Sequence, residues 1–336
     1  MAREQEMTVL GGVDRYRVMD PMFECVRIVL NYRGETYSPA YIQGISGGAF
    51  RIGGICPCAP TCACAMGTQD LIKLLGYEMT HLSLCEEGMD AEIEVDRVVA
   101  RVKDEIRAGR PAIVWHAFTT AEWDVVCGYD DEQGQFLGRG SYLGVDNGYA
   151  SAEQRRTATC GAICSQLGAI LVGDKTGKYD ARGSEVAALR EAVAHAHAIT
   201  NVDRLGGEQW VMLYGLSCYD RWIRDFQSDP PRLPDMGDRY CFGVYRSTHR
   251  AASEFMLELA DKYPEVKTSL RRAARHFVAE ADALNGAAEM LFPGWRLPDR
   301  ADAELNVLVA GHLAHARDHY AQAIGEIEAA LQVIGE

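Results

Sequence analysis

The chain has 336 residues, 48% of them hydrophobic and 24% charged, with a formal net charge of −14. That length predicts two structural units, and the acidic balance excludes nucleic acid and anionic lipid as default partners, because both are recognised through clustered Lys and Arg. No stretch reaches the roughly 18 apolar residues of a membrane helix, and Met1–Arg17 carries mixed charge without a secretory apolar run. The expected setting is therefore the reducing cytoplasm, where the 11 cysteines read as free thiols, metal ligands or reactive groups rather than a disulfide framework.

Along the chain, CVRIVLNY at Cys25–Tyr32 predicts a buried helix stopped by Gly34, and Ser38–Ile45 a capped second helix followed by a glycine-rich turn at Ser46–Ala49. Pro57 and Pro60 place the segment from Ile52 to Gly67 in a loop. Thr68–Leu75 reads as helical, as does Asp96–Ala108; strands are expected at Arg110–Phe118, Glu122–Tyr129, near Phe136, at Tyr142–Val145 and at Ala169–Val172. The first unit, residues 1–178, is thus expected to be α+β with an antiparallel sheet. Beyond Lys178 the pattern is helical only, at Gly183–Thr200, Glu208–Phe226, Tyr240–Tyr263, Pro264–Phe292 and Arg300–Ile334, with proline-rich connections between. That predicts an all-α five-helix bundle over residues 179–336.

The segment DPMFECVRIVLNYRGETYSPAYI resembles the entry helix of C39-type papain-like peptidase domains, with Tyr32 and Gly34 setting the register. Counted from that anchor, the family's nucleophilic cysteine falls on Pro21, with Cys25 four residues further on. The stretch EWDVVCGYDD matches the family's histidine-bearing strand but has Glu122 where the histidine stands. Asp146, in VDNG, matches the residue that orients the histidine. Element order, the SGGAF turn and the helical second half are similar to proteins whose N-terminal domain is of the BtrH type, some of which are thiol-dependent acyl transferases. The resemblance implies a papain-like fold that is not a working peptidase.

Thiol catalysis needs a thiolate and a base that titrates near neutrality, a task for imidazole rather than an ionised carboxylate. If Cys25 is a nucleophile, His116 on the preceding strand is the base to be named beside it; otherwise Cys25 is a small buried hydrophobe. Glu122, Trp123 and Asp124 read either as a strand edge or, by the resemblance, as lining of the cleft, with Trp123 a ligand wall or core.

The densest signal is CPCAPTCAC, four cysteines, Cys56, Cys58, Cys62 and Cys64, in nine residues. In an extended C-x-C pair both side chains leave one face of the backbone, and the intervening Ala-Pro-Thr can turn the second pair toward the first. Four thiolates select zinc, Cu(I) or an iron–sulfur cluster over Mg²⁺ or Ca²⁺. Cys160 and Cys164 are possible additional ligands. On the last helix His312, His315 and His319 share one face at i, i+3 and i+7, either as chelators or as a polar face. The expectation is a metal or cluster on the cysteine loop serving a small-molecule ligand or substrate at the old peptidase cleft. The alternatives are acyl transfer or amide hydrolysis through Cys25, and a non-catalytic partner-binding protein; a homodimer is compatible with each.

Overall fold

A computed structural model describes residues 7–53, 63–83, 91–119, 122–141, 148–150, 168–198, 201–205 and 208–334. In chain order its elements are β1 (Met7–Val9), α1 (Pro21–Tyr32), α2 (Pro39–Ile45), α3 (Thr68–Leu74), β2 (Tyr77–Ser83), α4 (Ala91–Arg107), β3 (Ala112–Trp115), β4 (Trp123–Asp130), β5 (Gln135–Arg139), β6 (Gly148–Ala150) and β7 (Gly168–Lys175). There follow α5 (Ala181–His197), β8 (Asn201–Leu205), β9 (Glu208–Met212), α6 (Gly215–Phe226), α7 (Met236–Lys262), α8 (Lys267–Leu291) and α9 (Ala303–Ile334). Two compact units result: Met1–Ser38 with Gly67–Tyr179, and Pro39–Met66 with Asp180–Glu336.

The first unit is α+β. Its antiparallel sheet runs β2-β7-β3-β4-β5-β6, and β1 lies against the end of β4 that β3 leaves free: β3 faces Trp123–Val126 and β1 faces Gly128–Asp130. Helix α4 covers the sheet through Val95, Val98, Val102 and Ile106, which meet Val114, Val126, Tyr129 and Leu171. Helix α1 packs on β3 and β4. Its start is written locally: Asp20 caps it by accepting from Met22 N at 3.2 Å, and Pro21 occupies the first turn, where a missing N–H costs nothing. The helix is then buried almost all round, with Phe23, Cys25, Val26, Ile28, Val29 and Leu30 fully enclosed.

Strands β3, β4, β5 and β7 lie at or inside their predicted positions. The strand expected at Tyr142–Val145 lies outside the described residues; β6 follows at Gly148. Strands β1 and β2 carry no clear sequence signal. β1 has only three residues, and along β2 exposed Glu78 and Thr80 alternate with partly and fully buried neighbours without an apolar run.

In the second unit α8 packs along both α7 and α9, around an aromatic core in which Phe50 lies 6.1 Å from Phe255 and 5.7 Å from Phe277 between ring centroids. The described parts of segment 39–66, residues 39–53 and 63–66, belong to this unit, with Ile42, Ile45, Ala49 and Phe50 buried. A Cβ on Gly44 would lie 2.2 Å from the Phe255 ring, so α2 approaches α7 at a distance only glycine permits. The sequence, read as one unbroken first unit to residue 178, does not anticipate this excursion.

The helix-only expectation beyond Lys178 is corrected by the β8–β9 hairpin, and the helix expected over Glu208–Phe226 begins only at Gly215. Gly206-Gly207 separates NVDRL from EQWVM, a glycine pair suited to a tight hairpin connection, and the apolar spacing of the second strand also fits a helical period. Gly215 has φ +51°, and a Cβ there would sit 2.5 Å from the Ala196 carbonyl oxygen. Among the described residues, no helix is long and apolar enough to cross a membrane.

Candidate functional site

The backbone immediately before the cysteine loop is irregular, and an irregular buried segment must find partners for its amides and carbonyls. The helical unit supplies them residue by residue. Tyr320 of α9 donates to Phe50 O at 2.8 Å, and His249 of α7 lies with Nε2 3.0 Å from Arg51 O. Ile52 N donates to His195 Nε2 of α5 at 2.8 Å, while Ile52 O accepts from Gly215 N at 2.9 Å. Gly53 N donates to the Tyr245 hydroxyl at 2.9 Å, which donates back to Gly53 O at 2.5 Å. Burial lowers the His195 pKa to about 4, so at neutral pH its ring is uncharged and can accept from Ile52 N.

Behind this stem, His249 Nδ1 lies 2.7 Å from Glu280 Oε1, off the line of a good hydrogen bond, and Tyr219 donates to the same oxygen at 2.5 Å. His249, Glu280, Tyr219 and Tyr320 have no exposure to solvent.

Arg51 leaves the stem as a buried side chain, 2% exposed, and its Nη1 donates to Cys64 Sγ on the far side of the loop. Beside this contact lies a cleft of about 10 Å³, close to a single water site, lined by Ser46, Gly47, Arg51, Cys64, Glu191 and His195 among others. Burial raises the Glu191 carboxyl. Of the four loop cysteines only Cys64 lies among the described residues; Cys56, Cys58 and Cys62 lie outside them, as do Cys160 and Cys164. Among the described residues no group of three or more His, Cys, Asp and Glu is arranged to hold a metal.

In the first unit, the residues expected at the peptidase cleft gather around Tyr16, whose hydroxyl donates to Trp123 O at 2.8 Å. Burial raises the Tyr16 phenol far above its ordinary value, helped by Cys25, Asp124, Glu24 and Glu122. Cys25 is fully buried, its Sγ donating to Met22 O at 3.5 Å. Burial, then Asp20 and Glu24, push its thiol well above the usual range, which opposes the thiolate a nucleophile needs. His116 takes a left-handed backbone, φ +58°, with its N donating to Glu122 O at 2.7 Å. Trp123 packs edge-on against Trp115 at 5.3 Å, the contact of a core residue. Asp146 lies outside the described residues.

Asp124 has a structural task. Its Oδ2 accepts from Phe118 N at 2.7 Å and Thr119 N at 2.8 Å, and its Oδ1 from Ser141 N at 2.9 Å. These bonds hold the turn after β3 to the segment after β5. Burial nevertheless raises its pKa to about 6, from 3.8. The folded protein therefore keeps a proton that the unfolded chain releases, and this group's contribution is fully present below about pH 4 and lost as pH rises to about 6. We expect Asp124→Asn to flatten that fall, on the order of 2–3 kcal/mol, in urea unfolding measured at pH 4, 5, 6 and 7; an unchanged profile would assign the titration elsewhere.

Sequence reasoning passed over Arg51, Tyr245, His249, Glu280 and Tyr320, and left His195 and His197 without a role. The signal for Arg51 was its position, ahead of the cysteines; the others carry none. No protein-family model matches the chain, and no curated protein matches it.

Proposed function

We propose that this chain is a thiolate metal protein on a degenerate C39-like, BtrH-type scaffold, with Cys56, Cys58, Cys62 and Cys64 holding zinc or an iron–sulfur cluster. The observation that carries the reading is the Arg51–Cys64 contact on a stem locked by four helix side chains. A guanidinium held against sulfur favours the thiolate. A divalent ion with four thiolates is a net dianion, and a buried cation beside it offsets that charge where water cannot. Fixing the stem also lowers the ordering cost of closing the loop around an ion. The cleft at Cys64 has room for about one water beside the centre.

Acyl transfer through Cys25 draws less support, because a fully buried thiol beside Asp20 and Glu24 resists ionisation. A papain-like ancestry is compatible with an α+β first unit in which the position aligned with the nucleophile is Pro21.

The test is elemental analysis and a visible spectrum on protein purified anaerobically without a metal-affinity tag. We expect about one equivalent of zinc, or iron with sulfide and visible absorption, absent when Cys56, Cys58, Cys62 and Cys64 are all changed to serine. Full metal content in that variant overturns the reading. Arg51→Met is expected to weaken metal retention about 10- to 100-fold in chelator competition, the usual effect of losing a group that supports a ligand.

A further inference from the structure

Cys64 differs from the other cysteines in what surrounds its sulfur. Among the described residues Cys25, Cys127, Cys218 and Cys241 are buried, and Cys64 alone is partly open to solvent. Burial raises the thiols of Cys25, Cys127 and Cys218, the last to about 12, and buried thiols of this kind are inert. At Cys64 the Arg51 guanidinium, 2% exposed, donates to Sγ, and a cation against sulfur favours the nucleophilic form. The cleft lined by Arg51, Cys64, Glu191 and His195 holds about one water. A reactant entering there is water-sized, and hydrogen peroxide, two oxygens joined by one bond, is near that limit.

Further thiols are tethered beside it. A Cβ on Gly53 would lie 2.6 Å from Ala63 Cβ, so the chain between them leaves and returns at one place, and it carries Cys56, Cys58 and Cys62. A cation-paired cysteine that a small oxidant can reach, with a second cysteine close in the chain, has the features of a redox-sensing thiol. We propose that Cys64 is a peroxide-modified residue, oxidised by hydrogen peroxide to a sulfenic acid that a second loop cysteine resolves to a disulfide. The Cys64 sulfur attacks one peroxide oxygen, the S–O bond forming as the O–O bond breaks, and the departing hydroxide takes a proton from solvent and leaves as water. The second thiolate then attacks that sulfur, the S–S bond forming as the S–O bond breaks, with hydroxide again leaving as water. In sum two thiols and one peroxide give one disulfide and two waters. The sulfur chemistry stands without a metal; its consequence, that a disulfide withdraws two thiolates and releases the ion, rests on the function proposed above.

The experiment uses two full-length proteins, the anaerobically purified wild type and a Cys56→Ser, Cys58→Ser, Cys62→Ser variant, which keeps Cys64 but neither a resolving loop thiol nor a four-thiolate site. Each is treated with hydrogen peroxide in the presence of dimedone, which traps sulfenic acid, and read by peptide mass spectrometry. In the variant the adduct should form on Cys64 at least about tenfold faster than on Cys25, Cys127, Cys218 or Cys241, and Arg51→Met should slow it by a similar factor, the scale of a charge-assisted hydrogen bond. Arg51→Lys, which keeps the cation, should retain most of the rate. tert-Butyl hydroperoxide, too large for the cleft, should leave Cys64 unmodified over the same time. The wild type should instead give a disulfide joining Cys64 to Cys56, Cys58 or Cys62, with any bound metal released in step. Equal labelling of the buried cysteines, an unchanged rate in Arg51→Met, or equal reaction with the bulky peroxide overturns the proposal; the first and last of these comparisons need no change at Arg51. A wild type that carries no metal yet forms the Cys64 disulfide overturns only the function proposed above, and a metal-bearing wild type with Cys64 unreactive in the triple variant overturns only the peroxide site.

Discussion

Arg27→Met is expected to destabilise the first unit by about 3–5 kcal/mol, the range for breaking a buried ion pair from one side. Arg27 is 2% exposed and Glu24 not at all. The guanidinium donates to Asp14 at 2.7 Å, to Glu24 Oε1 at 2.7 Å and to the Arg15 carbonyl at 2.8 Å. Burial alone would raise the Asp14 carboxyl, yet hydrogen bonds from Arg17 and Arg27 bring it down to about 2. Glu24 remains raised because burial outweighs its bond to Arg27, and its second oxygen has no hydrogen-bond partner. Removing Arg27 leaves that buried carboxylate, among the described residues, with Arg17 N at 2.9 Å as its donor.

The double variant Arg27→Met, Glu24→Leu should recover most of the loss, since replacing both partners by apolar groups of similar size is close to neutral. Equilibrium urea unfolding of the two variants and the wild type measures this directly. A loss under 1 kcal/mol in Arg27→Met would mean that water reaches Glu24 and that the helix is less enclosed than described.

The same network explains which parts of the molecule can be read along the chain. Helix α1 is legible because its determinants are local: a capping aspartate, a proline in the first turn, an apolar run and Gly34 just past the end. The sheet is legible where strands are buried on both faces, as in RPAIVW and EWDVVCGYD, and illegible at β1 and β2, where pairing supplies what the sequence pattern lacks. The site is harder. The cysteine cluster and Arg51 stand in one stretch, but Tyr320 meets Phe50 across 270 residues and His249 meets Arg51 across 198. A tyrosine in a helix period reads as core, and nothing near it in sequence says which carbonyl its hydroxyl will find. Likewise His319 shares a helix face with His312 and His315 in the sequence, while its imidazole meets His276 of α8.

His249→Phe is expected to cost the second unit about 1–3 kcal/mol, the range for leaving buried polar groups without a partner, and, on the proposed function, to loosen the metal as well. The ring sits at a junction. Its Nε2 faces the Arg51 carbonyl, its Nδ1 faces Glu280, and the ring stacks on Tyr320 at 5.8 Å between centroids. Phenylalanine keeps the volume and the stacking but neither polar contact. Glu280 would then keep Tyr219 as its donor with its second oxygen already without a partner, and a carboxylate so placed carries most of the penalty. The Arg51 carbonyl would lose its side-chain partner at the residue whose guanidinium reaches Cys64, so backbone freedom should pass directly to that contact. Two readouts separate the effects. Thermal unfolding reports the cost at the buried Glu280 side chain, which His249→Phe with Glu280→Leu should largely recover. Chelator competition reports the stem, and there the double variant should remain impaired, because the His249 contact to Arg51 O is still missing. Recovery of both together would show that the stem does not control the loop and that His249 serves only to accompany Glu280.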